Sequence, residues 1–294
     1  MRRACCLLLL AALTTLPSLA AGDSAASGGC SPVLKTRGPR VATGHRTSRR
    51  TAEAAFGSCV LRAVAAMPQG GGYSTDDDAM DALACKAIVW DAEKNGLRLY
   101  PKEAQPTFCS AACYVVLLNA LRQWCAAHKY SLSSRALSLM MPELRQPDGL
   151  RVWGRVNANG PGLAKLVADT HTGVNFNDLR LARPGDFLKF FWSEEIGSAE
   201  RGHMVVFLGT EKVKDKLCIR YWSANKPDGC SIRSVPVDLM HHLIFTRITH
   251  PENFANVTRL PECDPMLVGM QQRPYTWQEV VSACRIILPS PKRP

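Results

Sequence analysis

The central helix of this protein is predicted by residues 106–121, Pro106-Thr-Phe-Cys-Ser-Ala-Ala-Cys-Tyr-Val-Val-Leu-Leu-Asn-Ala-Leu121. Pro106 breaks the preceding structure, and Thr107 is a suitable N-cap. From Ala111 onward almost every residue is small or apolar, so we expect this helix to be buried on most of its faces. Cys109 then falls in the first turn, where free backbone N–H groups and the helix dipole stabilise a thiolate. Cys109 is therefore a candidate nucleophile.

The N-terminus has the pattern of a secretory signal peptide over residues 1–21. Arg2 and Arg3 form the charged region, residues 4–13 the apolar region, and Ser18-Leu-Ala20 the cleavage site. The apolar run is too short to cross a bilayer, and no later segment approaches transmembrane length. We therefore expect an exported soluble protein, either secreted or periplasmic.

The next segment, residues 22–52, is rich in Gly, Ser, Thr and Arg, and we interpret it as a basic flexible linker. It contributes to a net charge of +11. An alternative is contact with an anionic polymer such as a cell wall. Nucleic acid is disfavoured because the basic residues are not interleaved with aromatic residues. The basic residues of this segment are Lys35, Arg37, Arg40, Arg46, Arg49 and Arg50.

The chain has 12 cysteines, of which Cys5 and Cys6 lie in the signal peptide. In an oxidising compartment some of the others should form disulfides. Cys263 and Cys284 flank the C-terminal tail and are a candidate pair. If Cys109 is a working thiol, at least one other cysteine must also be unpaired.

Periodicity predicts helices in the first half and strands in the second. Helices are expected over residues 51–67, 74–95 and 163–170, in addition to the Cys109 helix. Strands are expected over residues 187–191, 203–208, 217–222 and 242–248, with short turns that favour antiparallel pairing. This order indicates an α+β fold. We assign residues 53–250 to one domain and residues 251–294 to a C-terminal extension with one helix, which opens with the capping box Thr276-Trp-Gln-Glu279.

A thiol nucleophile needs a base, and the base needs a polar group that orients it. His203 is the best candidate base among the 7 histidines, because it opens an apolar strand directly after Gly202. A histidine in that position is more often structural, so the case for His203 depends on its surroundings.

Three motifs resemble those of the NlpC-like cell-wall peptidases, which have a papain-like fold. Cys109-Ser-Ala before an apolar helix resembles their nucleophile segment, and Pro184-Gly-Asp-Phe-Leu-Lys-Phe190 resembles the start of one of their strands. Gly202-His-Met-Val-Val-Phe-Leu-Gly209 resembles their histidine strand. The motifs also follow the same order. The sequence departs from the family pattern at Phe108, where Asp is usual, and at Ala111, where Gly is usual.

The resemblance implies a papain-like NlpC-type core, with the nucleophile at a buried helix N-terminus packed on an antiparallel sheet. It implies that His203 is the general base and that the third residue lies on the next strand. That position is often His in the family, whereas here it falls in Tyr221-Trp-Ser-Ala-Asn225. We select Asn225, whose amide can accept the imidazole N–H, with Ser223 as the alternative.

The implied function is hydrolysis of an amide bond in murein or another peptide by an exported cysteine hydrolase. Trp153, Arg155, Asn157 and Asn159 lie in a segment rich in Gly and Asn, which we interpret as a loop forming the substrate wall. Arg155 suits a substrate carboxylate. An ordinary surface loop explains the same composition equally well.

Other functions remain open from the sequence. A metal site using Cys109, Cys113 and His203 lacks a CxxC pair or a second His at ligand spacing, so we expect no metal and no cofactor. An inactive papain-like binding module of the cell envelope and a thiol acyltransferase are the two functional alternatives to the hydrolase.

Overall fold

The computed structural model of the protein describes residues 56–198 and 202–289, which fall in one compact unit. The predicted signal peptide and linker lie outside the described residues. The helices are α1 over residues 56–65, α2 Asp77–Asp81, α3 Cys109–His128, α4 Ser134–Leu139, α5 Arg151–Asn157, α6 Gly162–Thr170, α7 Pro265–Gly269 and α8 Trp277–Ala283. A π-helical turn covers Ala82–Ala87, and 3-10 turns cover Pro101–Glu103, Leu179–Leu181, Val237–Leu239 and Pro251–Arg259.

The strands are β1 Gly70–Gly71, β2 Ile88–Asp91, β3 Gly96–Leu99, β4 Gly173–Phe176, β5 Phe187–Phe191, β6 His203–Val213, β7 Lys216–Asn225, β8 Gly229–Pro236, β9 His242–Ile248 and β10 Ile286–Ile287. Eight of them form one sheet in the order β1-β8-β7-β6-β5-β9-β4-β10, and β2 and β3 form a separate hairpin. All neighbours in the large sheet are antiparallel except β4 and β10. The α+β prediction is confirmed, and the four predicted strands correspond to β5, β6, β7 and β9.

The predicted central helix is α3, and residues 110–121 of it are all buried. It packs on the face of the sheet that presents Phe187, Val206 and Trp222, in the largest apolar cluster of the described residues. The N-cap is Phe108, with no side-chain hydrogen bond, so the prediction of Thr107 as the cap is wrong. Consequently no side chain of the cap occupies the N–H groups of the first turn beside Cys109.

Two segments have a different secondary structure from the one predicted, because tertiary packing overrides local pattern. The helix predicted over residues 74–95 stops at Ala87, where Ile88-Val-Trp-Asp91 pairs with β3 instead. The segment predicted as a loop forms α5 and the start of α6. Its glycines serve close packing, because a Cβ on Gly154 would clash with the Pro147 carbonyl and one on Gly162 with the Arg155 carbonyl.

The C-terminal segment contains more than the one predicted helix. The capping box at Thr276 and Glu279 is confirmed and opens α8, which ends at Ala283, and β10 then joins the central sheet. The predicted Cys263–Cys284 disulfide is wrong, because Cys284 is buried while Cys263 is exposed. Every cysteine in residues 56–198 and 202–289 is a free thiol.

No helix within the described ranges combines the length and apolar character needed to cross a membrane.

Candidate active site

A cleft of about 440 Å³ opens at the N-terminal end of α3. It is lined by Phe187 and Lys189 of β5 and, at the α5–α6 corner, by residues 156–160 and 162–164. Cys109 lines this cleft together with Tyr73. The arrangement gives a ligand access to the thiol at a helix N-terminus.

Cys109 is the first residue of α3 and is partly buried. Burial raises the pKa of its thiol, but a hydrogen bond with His203, the charges of His203 and Lys189, and a hydrogen bond with the Met204 backbone outweigh burial. The result is a pKa of about 7, lowered from the ordinary value of 9.0. A substantial fraction of Cys109 is therefore thiolate near neutral pH.

The register of β6 and β7 brings His203 to Asn225. The antiparallel pairing aligns Val206 with Trp222, and continuing it by three residues places His203 opposite Asn225. The His203 Nε2 atom lies 3.2 Å from Asn225 Oδ1. The ring nitrogen left to face Cys109 is therefore Nδ1.

The orientation of the Asn225 amide defines the histidine tautomer. Its Nδ2 donates to the Ser223 carbonyl, the Ser231 carbonyl and the Ser231 hydroxyl at 2.9, 3.2 and 3.1 Å. Its Oδ1 accepts from the Tyr221 hydroxyl at 3.2 Å. Since Oδ1 can only accept, His203 Nε2 must donate, which leaves Nδ1 as the proton acceptor for the thiol.

Ser223, the alternative third residue, does not contact the His203 ring. It is buried, and its hydroxyl donates to the Met204 carbonyl at 2.7 Å. The structure thus brings together Cys109, His203 and Asn225, and gives Ser223 a backbone partner one strand away.

Tyr73 is a cleft residue that sequence reasoning missed. Burial raises the pKa of its hydroxyl to about 12, and the negative charge of the Cys109 thiolate adds to this. The hydroxyl therefore stays protonated and can donate a hydrogen bond near Cys109. In the sequence, Tyr73 follows three consecutive glycines, and that pattern indicated only a flexible turn.

Lys189 was also missed, although the sequence carried a signal for it. It is the only charged residue in the apolar strand Phe187-Leu-Lys-Phe-Phe191. It pairs with Met204 across the sheet and lines the cleft. A cation on an otherwise apolar strand at this position favours the ionised form of Cys109.

Three of the four predicted wall residues line the cleft. Trp153 is buried, with its ring centroid 5.1 Å from that of Tyr114. Asn157 Oδ1 accepts from the Ser110 hydroxyl at 2.8 Å, and its Nδ2 donates to Asp148 at 3.3 Å. Asn159 donates its backbone N–H to Asp148 at 3.4 Å. A chain of polar side chains therefore connects Ser110, the residue after Cys109, to the cleft wall.

The prediction that Arg155 meets a substrate carboxylate is wrong. Its side chain is 1% exposed and does not line the cleft. Its Nη1 pairs with Asp264 at 2.8 Å, and its Nη2 donates to the Pro261 carbonyl. The reason is that α5 is a helix, which turns Arg155 away from Trp153 and Asn157 and into the interior.

The Pro184-Gly-Asp186 motif builds the start of β5 and lies away from the cleft. Asp186 accepts two hydrogen bonds from Arg247, at 2.8 and 2.6 Å. Gly185 has φ +93, and a Cβ there would lie 2.6 Å from the Gly57 carbonyl. This motif is therefore structural in this protein.

Within the described ranges, no three His, Cys, Asp or Glu side chains converge as metal ligands. Cys113, which the sequence offered as a possible ligand, is buried and its Sγ contacts the Met204 carbonyl at 3.4 Å. Its pKa is raised well above the ordinary value by burial, and further by the charges of Cys109 and Cys230.

Comparison of the chain with protein-family models, with curated proteins and with solved structures found no match. The geometry of the site therefore carries the functional argument.

Proposed function

We propose that this protein is an exported cysteine hydrolase that cleaves an amide bond, with Cys109 as nucleophile, His203 as general base and acid, and Asn225 as the residue that orients His203. The observation that carries the proposal is a chain of contacts at the N-terminal end of α3: Cys109 is hydrogen-bonded to His203, and His203 to Asn225. Cys109 also lines an open cleft. Separate elements of the fold supply them, and a thiol at a helix N-terminus that is hydrogen-bonded to a histidine, itself hydrogen-bonded to a third polar group, is the arrangement that cysteine nucleophiles require.

In the proposed reaction, His203 Nδ1 takes the proton of Cys109 and the thiolate attacks the substrate carbonyl. The Cys109 backbone N–H and the Tyr73 hydroxyl donate to the resulting oxyanion. His203 then protonates the leaving amine, which leaves a thioester on Cys109. Water, deprotonated by His203, hydrolyses the thioester and regenerates the thiol.

The substrate class follows from the resemblance of the three motifs to NlpC-like peptidases, which act on cell-wall peptides. A murein or related peptide is therefore the first substrate to assay. The basic residues of the 22–52 segment are compatible with delivery to an anionic envelope polymer.

The test is iodoacetamide labelling of the native, non-reduced protein from pH 5 to 9, followed by peptide mapping. Cys109 should label with a midpoint near pH 7, and His203→Ala should slow labelling below pH 8. The exposed thiols Cys85 and Cys263 provide internal controls that His203→Ala should not change.

Murein-peptide hydrolysis by the wild type and its loss in Cys109→Ala would then complete the assignment. Slow labelling of Cys109 would point to the inactive binding module, and a product carrying an added amine would point to acyl transfer. A Cys109 that labels no faster than Cys85 at pH 7 would overturn the proposal.

A further inference from the structure

A second cavity lies along the C-terminal half of α3, away from Cys109. Its volume is about 350 Å³, within the range of small-molecule sites. Side chains from α3, β3 and α4 and from the loop before α4 enclose it. Its apolar lining includes Leu97, Leu99, Leu118, Leu121, Leu132 and Leu137. Several of these leucines are only half-buried, so the cavity exposes apolar surface that a ligand could cover.

Two cations, Lys94 and Arg122, also line this cavity, and both are exposed. No Asp or Glu lines it. Arg122 donates to the Asn119 side chain at 3.0 Å. Neither cation forms an ion pair within residues 56–198 and 202–289. The cavity therefore combines an apolar interior with a positively charged rim.

We propose that this cavity binds a single-chain amphiphile with one carboxylate head, in the manner of a medium-chain fatty acid. The alkyl chain lies among the leucines, and the carboxylate lies between Lys94 and Arg122. The chain's own segment 22–52 is a poor occupant, because its cluster of basic residues would be repelled by this rim. An uncharged apolar ligand would gain nothing from the positive charge of this rim.

This site is separate from the cleft. Leu121 is displaced from Cys109 along α3 by about 18 Å, at 1.5 Å per residue. Binding of an amphiphile therefore does not depend on the chemistry of Cys109, and either proposal can fail alone.

The cavity also contains a reporter group. Cys125 lines it, and burial raises the pKa of this thiol to about 11. The thiol is consequently protonated and slow to alkylate at neutral pH. A ligand in the cavity should shield it further, without changing alkylation of Cys109.

The experiment is calorimetric titration of the mature full chain with octanoate, decanoate and dodecanoate below their micellar concentrations. We expect saturable binding that tightens about fourfold per added methylene. Dodecanoate should slow iodoacetamide labelling of Cys125 at pH 9 and leave Cys109 unaffected.

Two sets of variants locate the site. The double variant Lys94→Glu/Arg122→Glu should weaken dodecanoate at least tenfold and leave dodecanol within twofold of the wild type. The control Lys212→Glu/Arg220→Glu, at exposed positions of β6 and β7, should change neither ligand. Leu137→Trp fills the cavity and should abolish binding of both ligands, while thermal unfolding reports whether it folds.

Absence of saturable binding by all three acids overturns the proposal. Unchanged binding of dodecanoate to the Lys94→Glu/Arg122→Glu variant also overturns it, because the carboxylate of the ligand then lies elsewhere. If Leu137→Trp does not fold, iodoacetamide labelling of Cys125 in the wild type is the deciding measurement. Labelling that saturating dodecanoate does not slow excludes this cavity as the binding site.

Discussion

The Asn225 side chain accepts hydrogen bonds from both Tyr221 and His203, while its amide donors are held by the Ser223 carbonyl and Ser231. An orienting residue must itself be held in place, and here the β7–β8 hairpin provides the holding groups. This gives Asn225 a geometric role that Ser223 does not share.

Asn225→Ala should lower kcat by at least about tenfold, because His203 loses the acceptor that defines its tautomer and general acid–base catalysis is worth about 10²–10⁴. KM should change little. The measurement is steady-state kinetics on a murein peptide. Ser223→Ala is the matched control, since it removes a buried hydrogen bond but no contact with the ring. Equal losses of kcat in the two variants would contradict the assignment.

Lys189→Met should raise the pKa of Cys109 above about 7, because the Lys189 charge is one of the groups that lower it. The sign follows from charge: without the cation the thiolate is less stable, so reactivity at pH 7 falls and recovers at higher pH. The pH profile of iodoacetamide labelling measures this. Lys212→Met, which lies nine residues along β6 from His203 and thus about 30 Å from it at about 3.3 Å per residue, should leave the midpoint unchanged.

The α5–α6 corner forms the cleft wall because its glycines let backbone segments approach. Gly154 packs against the Pro147 carbonyl, and Gly162 against the Arg155 carbonyl, with no room for a Cβ at either place. The wall residues Asn157 and Asn159 are thereby held against the first turn of α3 through Asp148 and Ser110.

Gly162→Ala should destabilise the protein by about 1–3 kcal/mol, since the added methyl meets backbone that cannot move aside. Urea denaturation gives the difference in free energy of unfolding. Gly57→Ala in α1 is the control, because its nearest contact would be an ordinary 3.5 Å to the Pro184 carbonyl and alanine favours helix by about 0.5–1 kcal/mol. A Gly162 variant as stable as the Gly57 variant would show that the corner is not tightly packed.

An ionic cluster built around the buried Arg155–Asp264 pair joins the cleft wall to the C-terminal segment. Asp264 accepts from Arg155 at 2.8 Å and lies 3.3 Å from Lys165, which also pairs with Asp169 at 2.6 Å. Asp264 additionally caps α7 through the Met266 and Leu267 backbone N–H groups. The tail thus stabilises the fold by ion pairing as well as by β10.

Asp264→Ala should lower the free energy of unfolding by about 3–5 kcal/mol, because it removes the nearest carboxylate of the buried Arg155 and leaves its charge facing only Asp169, 4.0 Å away. Asp238→Ala, which breaks an exposed pair with Lys216, should cost about 0–1 kcal/mol. Urea denaturation at pH 7 compares them. Similar losses in both variants would show that burial of the cluster has no energetic consequence.

The same carboxylate gives a pH dependence. Burial raises the pKa of Asp264, but the Leu267 backbone hydrogen bond and the charges of Lys165 and Arg155 lower it below the ordinary value overall. Its contribution to stability is therefore present above its unfolded pKa of about 3.9 and is lost as pH falls through the folded pKa. The stability difference between wild type and Asp264→Ala should accordingly shrink in acid.

Local sequence patterns predict much of the fold. The apolar run after Cys109, the alternating strands and the capping box at Thr276 each report on residues adjacent in the chain. The short turn also predicts that the strands carrying His203 and Asn225 pair, whereas the choice of these two residues came from the resemblance of their segments to NlpC-like motifs. The order of helices and strands indicated the α+β class.

Only the tertiary structure shows the contacts between residues far apart in the chain and the places where two backbone segments pack closely. Gly154 and Gly162 indicated a loop by composition, yet the folded chain uses them for helix packing, and this change alone moves Arg155 from the cleft into an ion pair with Asp264. Tyr73 and Lys189 reach Cys109 from remote parts of the chain. Local periodicity reports which face of an element is apolar, but the partner across that face is determined by packing of the whole molecule.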